Sequence, residues 1–137
     1  MNCRMKPSSM ASRALLLSLL WAVPSPAATR TWQPATGTND WFAPVNWDGG
    51  TSVPATGDDV TVASAGAALL TNSTPTFSSL TLSSTLVFSN WSTTLSATNV
   101  TVQSGGVITL PPAFTTNQMS NNVWIVCTNL SIANGGK

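Results

Sequence analysis

Apolar and polar positions alternate through the middle of this chain, and the alternation returns at a fixed interval. Val60-Thr61-Val62 is followed by Leu80-Thr81-Leu82 and then by Val100-Thr101-Val102, each 20 residues after the last, and Leu130-Ser131-Ile132 comes 30 residues on. The flanking columns repeat as well. Asp59, Ser79, Asn99 and Asn129 precede the first apolar residue, Ser64, Ser84, Ser104 and Asn134 stand two after the last, and Gly105-Gly106 recurs as Gly135-Gly136. Apolar, hydroxyl, apolar is the two-residue period of a half-buried strand. Its return at near-constant spacing predicts stacked coils, with neighbouring strands about 4.8 Å apart. Val60, Leu80, Val100 and Leu130 then form one internal column, and Val62, Leu82, Val102 and Ile132 the next. The Thr and Ser column between them faces outward. The expected fold class is all-β, a parallel β-helix (solenoid); antiparallel strands, as in a β-sandwich, are the alternative.

Each coil offers a second apolar stretch after a polar turn: Ala67 to Leu70, Leu86 to Phe88 and Val107 to Leu110. Pro111-Pro112 does not belong in a central strand, so 111–122 is expected to bulge from the stack as a loop. Upstream, Trp32, Trp41 and Trp47 lie in a segment interrupted by Pro34, Pro44 and Gly49-Gly50, without helical periodicity. A stacked fold ends in an exposed apolar cross-section, which bulky rings can cover. Capping is the preferred role for these indoles, and a sugar-stacking platform using Trp32, Trp41, Trp47 or Trp91 is the functional alternative. The expected organisation is a signal peptide over 1–28, a Trp-rich N-terminal cap over 29–52 and β-solenoid coils over 53–137. Gly135-Gly136 stands where the preceding coil ran on into its second strand, so further coils of a longer chain are expected.

The leader reading rests on Arg4, Lys6 and Arg13 ahead of the apolar run Ala14 to Val23, with the small residues Ser25-Pro26-Ala27 after it. The run is shorter than the roughly 20 residues that span a bilayer. Removing the leader changes the charge. Arg30 and Lys137 then face Asp40, Asp48, Asp58 and Asp59, a net of −2 in place of the formal +1. That offers no electrostatic footprint for nucleic acid. It leaves no membrane span after cleavage either. The expected location is secreted, extracellular or at a cell surface. One cysteine, Cys127, remains beyond the leader, within an apolar run where a small buried thiol is expected.

Candidate chemistry is sparse. The chain contains no His, so Ser-His and Cys-His dyads cannot be built and zinc loses a common ligand. Asp58 and Asp59 are adjacent at a strand start and should point to opposite faces. Asp48 and Asp58 with loop carbonyls offer oxygens for calcium, but without the spacing of a dedicated calcium loop, so turn capping is preferred for Asp48, Asp58 and Asp59. No catalytic residue, metal site or cofactor is expected. Asn72, Asn90, Asn99 and Asn129 open N-x-S/T tripeptides, as chance allows in so Asn- and Ser-rich a chain.

The order Asn46-Trp47-Asp48-Gly49-Gly50, then Pro54, then Gly57-Asp58-Asp59-Val60-Thr61-Val62, resembles the start of large bacterial secreted and surface proteins with autotransporter-associated or PEP-CTERM-type β-strand repeats. The resemblance implies a right-handed parallel β-helix whose coils end in Gly-Gly, and an adhesin-like role. The function expected is therefore non-enzymatic: a structural or adhesive β-helix protein, with glycans or cell-surface and matrix components as partners. The alternatives are the N-terminal part of a β-helical polysaccharide lyase or hydrolase, and a carbohydrate-binding module.

Overall fold

The computed structural model describes residues 27–111 and 122–137. Residues 1–26 of the expected leader and 112–121 of the loop expected over 111–122 lie outside the described residues. Nine strands are present among those described: β1 (Thr29–Thr31), β2 (Thr38–Asp40), β3 (Asp59–Val62), β4 (Ala67–Leu70), β5 (Thr76–Leu82), β6 (Thr85–Phe88), β7 (Thr94–Val102), β8 (Val107–Thr109) and β9 (Trp124–Ile132). A short 3-10 turn, Pro44–Asn46, separates β2 from β3.

These strands form two parallel sheets, a five-stranded one ordered β1-β3-β5-β7-β9 and a four-stranded one ordered β2-β4-β6-β8. Consecutive strands alternate between the sheets, so each pair makes one rung and the next pair lies directly beside it. This all-β arrangement is compatible with a β-helix-like fold. The register carries the sequence periodicity into space. Val60 pairs with Leu80, Leu80 with Val100 and Val100 with Leu130, while Val62, Leu82, Val102 and Ile132 form the adjoining column. All are buried down to Val102. The hydroxyl column between them pairs Thr31, Thr61, Thr81, Thr101 and Ser131 on the outer surface.

The stack begins earlier than the first copy of the repeat. β1 pairs in register with β3, and β2 with β4, so the Trp-rich segment supplies a complete rung. Its strands carry Arg30 and Asn39 where later rungs carry aliphatics, which hides them from a search for alternation.

Alternation also slips once per rung. In β7, Leu95 and Ala97 are buried, Thr98 and Asn99 are both exposed, and Val100 and Val102 are buried again. Two successive outward residues turn the strand through a corner, and β5 does the same at Ser78-Ser79, which are half-buried. Polar side chains bridge rungs near it. Ser79 Oγ donates to Asp59 Oδ1 at 2.6 Å, and Asn129 Nδ2 to Asn99 Oδ1 at 2.8 Å.

Glycine sets the turn between sheets. Gly105 and Gly135 have φ of +84° and +86°, a region open to glycine at no steric cost. Their neighbours are constrained by space instead, since a Cβ on Gly106 would collide with the Leu82 carbonyl oxygen of the rung below. Leu80→Ala, removing a buried member of the column, should cost about 2–5 kcal/mol. Thr81→Ala beside it should cost about 1 kcal/mol or less. Chemical denaturation of the two variants checks the contrast.

Candidate functional site

The two ends of the stack differ, and the surfaces that offer chemistry lie there. At the first rung, Trp32, Trp41 and Trp47 are each 1% exposed. Their rings pack on one another: Trp32 and Trp47 meet edge-on at 5.1 Å between centroids, Trp41 and Trp47 at 4.7 Å, and Trp41 lies near-parallel to Phe77 at 6.0 Å. Burying an indole requires a partner for its N–H. Trp32 Nε1 donates to the Gly66 carbonyl at 2.8 Å and Trp47 Nε1 to the Trp41 carbonyl at 2.7 Å. The three rings are thus enclosed in the protein, and the N–H groups of Trp32 and Trp47 are satisfied there. Trp32, Trp41 and Trp47 present no face on which a sugar can stack, which corrects that part of the glycan reading. Trp91, at 59% exposure, stands apart from them in solvent.

Beside the indoles, the Val60 column ends in a charge. Arg30 occupies the place below Val60, and its Nε lies 3.5 Å from Asp58 Oδ2 without completing a hydrogen bond. Asp58 is buried, and its carboxylate also accepts from the backbone N–H of Ala28 at 2.9 Å and of Ala55 at 2.8 Å. Burial disfavours the charged form. The two backbone N–H groups and the Arg30 guanidinium outweigh it and hold the Asp58 carboxyl below the usual aspartate range.

The other carboxylates serve the backbone or a neighbour. Asp48 Oδ1 accepts from Thr31 N at 3.0 Å, Asp40 Oδ1 from Phe42 N at 3.0 Å, and exposed Asp59 from Ser79. Asp58 and Asp59 do face opposite ways, one buried and one exposed. Among the described residues, no three His, Cys, Asp or Glu side chains gather where they would share a metal ion.

At the last rung, β9 is the edge of the larger sheet, and its exposed apolar residues fall into two sets. Leu130 and Ile132, 52% and 55% exposed, continue the inward columns of Val100 and Val102. They are uncovered because β9 has a neighbour on one side only. Ile125 and Cys127 continue the inward positions of Leu95 and Ala97 and are half-buried against the core, so the thiol is less enclosed than its apolar run suggests. Trp124 and Val126, 56% and 52% exposed, belong to the other set: they pair with Thr94 and Ser96 on the outer face. Sequence reading takes Val123 to Cys127 only as an apolar run holding a buried thiol and does not single out Trp124. Sliding that stretch back by the 30-residue offset sets Trp124 against Thr94 and exposes its outward phase.

Parallel strands in two sheets, with indoles packed at one end and bare aliphatics at the other, make this an all-β protein compatible with a β-helix-like build. The chain belongs to the G8 domain family, whose model matches residues 46–133. G8 domains are found in extracellular and secreted proteins, and no helix among the described residues is long and apolar enough to cross a membrane. No curated protein and no solved structure matches the chain. The match starts at the end of the cap and runs through β9, so the family signature covers β3 to β9 and leaves out the first rung.

The lowered Asp58 pKa sets the sign of a pH dependence. Its contribution to stability is complete above the unfolded-state value, near pH 4, and is lost as pH falls through the lower folded-state value. Asp58→Asn places an amide NH2 against a backbone donor and should cost about 2–3 kcal/mol at neutral pH. It should also flatten the acid limb of the stability profile, as read by urea unfolding midpoints across pH.

Proposed function

We propose that this chain is the N-terminal scaffold of a secreted or cell-surface protein whose role is structural or adhesive rather than catalytic. The scaffold is a right-handed parallel β-helix, the hand that parallel strand crossovers adopt almost without exception. The observation that carries the reading is the in-register column from Val60 through Leu130 with its hydroxyl column outside. Such a column makes each rung a template for the next and leaves an uncharged surface of Ser, Thr and Asn. A further coil, from a longer chain, fits the β9 edge, where it would cover Leu130 and Ile132 and pair the free strand. The leader acts as the signal peptide, and glycans or matrix components are the partners. G8 membership supports the extracellular setting, and the resemblance to autotransporter-associated and PEP-CTERM-type repeats supports a surface-display role.

Two measurements on the full chain test this. Expressed with its leader, it should be exported and carry a new N-terminus near residue 28, read by intact mass. Incubated with a polysaccharide panel, it should release neither reducing ends nor unsaturated products. Retention in the cytoplasm defeats the secreted reading, and turnover of any glycan defeats the non-enzymatic one.

A further inference from the structure

Most apolar exposure on the last rung has a cause in the fold, and part of it does not. Leu130 and Ile132 point inward and would be covered by another rung. Trp124 and Val126 point outward, and a neighbouring strand would leave their outer surface in solvent, as it leaves Thr94 and Ser96 half-exposed. Among the described residues, Trp91 is the other indole in solvent. It lies in the turn that enters β7, three residues before Thr94, and Thr94 pairs with Trp124. Two exposed indoles therefore stand on adjacent rungs at one corner of the stack.

The corner is built rather than loose. Asn90, at φ +84°, donates from Nδ2 to the Thr71 carbonyl at 2.7 Å. Ser73 Oγ donates to the Ser92 carbonyl at 3.2 Å and accepts from Thr94 N at 3.1 Å. Thr93, 1% exposed, donates from Oγ1 to the Ser89 carbonyl at 2.6 Å. Trp91 thus sits on a turn tied to the rung below on both sides, and Trp124 opens a strand paired along its length. A backbone held in place limits the entropy lost on binding.

The geometry points to a neutral glycan as the ligand of this corner, with Trp91 and Trp124 as stacking faces and the hydroxyl and amide side chains between rungs as hydrogen-bond partners. The proposal rests on the adhesive reading above and deepens it. Charge selects the chemistry. Beyond the leader the only cations are Arg30, paired with Asp58 at the opposite end, and Lys137, so a sulfated glycan or anionic lipid surface finds no complementary partner at the corner. An uncharged sugar ring offers an apolar C–H face to each indole and a rim of hydroxyls to Ser92, Thr94 and Ser96. The exposed placement of the indoles on adjacent rungs suits a chain that runs across the rungs rather than an enclosed small molecule.

The test is retention of the full chain on immobilised neutral polysaccharides (a β-glucan, a xylan and a mannan), with a sulfated glycan and phosphatidylcholine vesicles in parallel. At least one neutral polysaccharide should retain the protein. Trp91→Ala and Trp124→Ala should each weaken retention about tenfold, with unchanged thermal midpoints. Trp91→Phe and Trp124→Phe, which keep an aromatic face, should weaken it less and serve where an alanine variant unfolds. The proposal is overturned if no neutral polysaccharide binds, if both tryptophan replacements leave retention unchanged, or if vesicles or the sulfated glycan bind in preference. Such a result leaves the scaffold reading intact, because that reading is decided by export and by turnover.

Discussion

Side-chain stacking between identical positions of successive rungs is the constraint on which the rest of this structure depends. In a parallel ladder an aliphatic residue meets its counterpart one strand away at a fixed separation, so a column stays continuous only while the register holds. A one-residue slip in any strand would turn its apolar set to solvent. Val60, Leu80 and Val100 supply such a column within the larger sheet, and Ala68, Leu86 and Ile108 supply one within the smaller. Hydrogen bonds between strands set the spacing. The columns decide which spacing is filled.

A stack of this kind must solve the problem of its ends, and this chain treats them differently. The first rung closes the core with three mutually packed indoles and a buried carboxylate tied to two backbone amides and an arginine. β9, by contrast, carries no lysine, no proline and no charged residue of any kind, so none of the usual side-chain devices blunts its edge. The surface of the protein follows from this asymmetry. One end is finished, one can accept a strand, and a corner beside the open end carries aromatic rings that neither condition explains.

Much of this was legible in the sequence, and what was not has identifiable reasons. The column members, the outward hydroxyls and the opposite faces of Asp58 and Asp59 follow from a period of two within a period of 20. The first rung did not follow, because Arg30 and Asn39 stand where aliphatics stand later. The corners did not follow either, since a two-residue slip such as Thr98-Asn99 looks like the end of a strand rather than a bend within one. Indole counting showed aromatic richness but not which faces were spent, a matter of N–H partners such as Gly66 and the Trp41 carbonyl. Trp124 was obscured by its apolar neighbours, and only the offset to Thr94 assigns its side of the sheet.

The longer interval before the fourth copy has a consequence for how such a chain can vary. Leu130 rests against Val100 as Val100 rests against Leu80, although ten more residues separate the first pair than the second. Enlarging a connection that already spans a similar length costs only about half a kcal/mol in closure entropy. The number of residues between β8 and β9 can therefore grow, shrink or be exchanged while the interior contacts remain the same, and diversity in this protein is cheapest in the spacing between strands rather than in the columns.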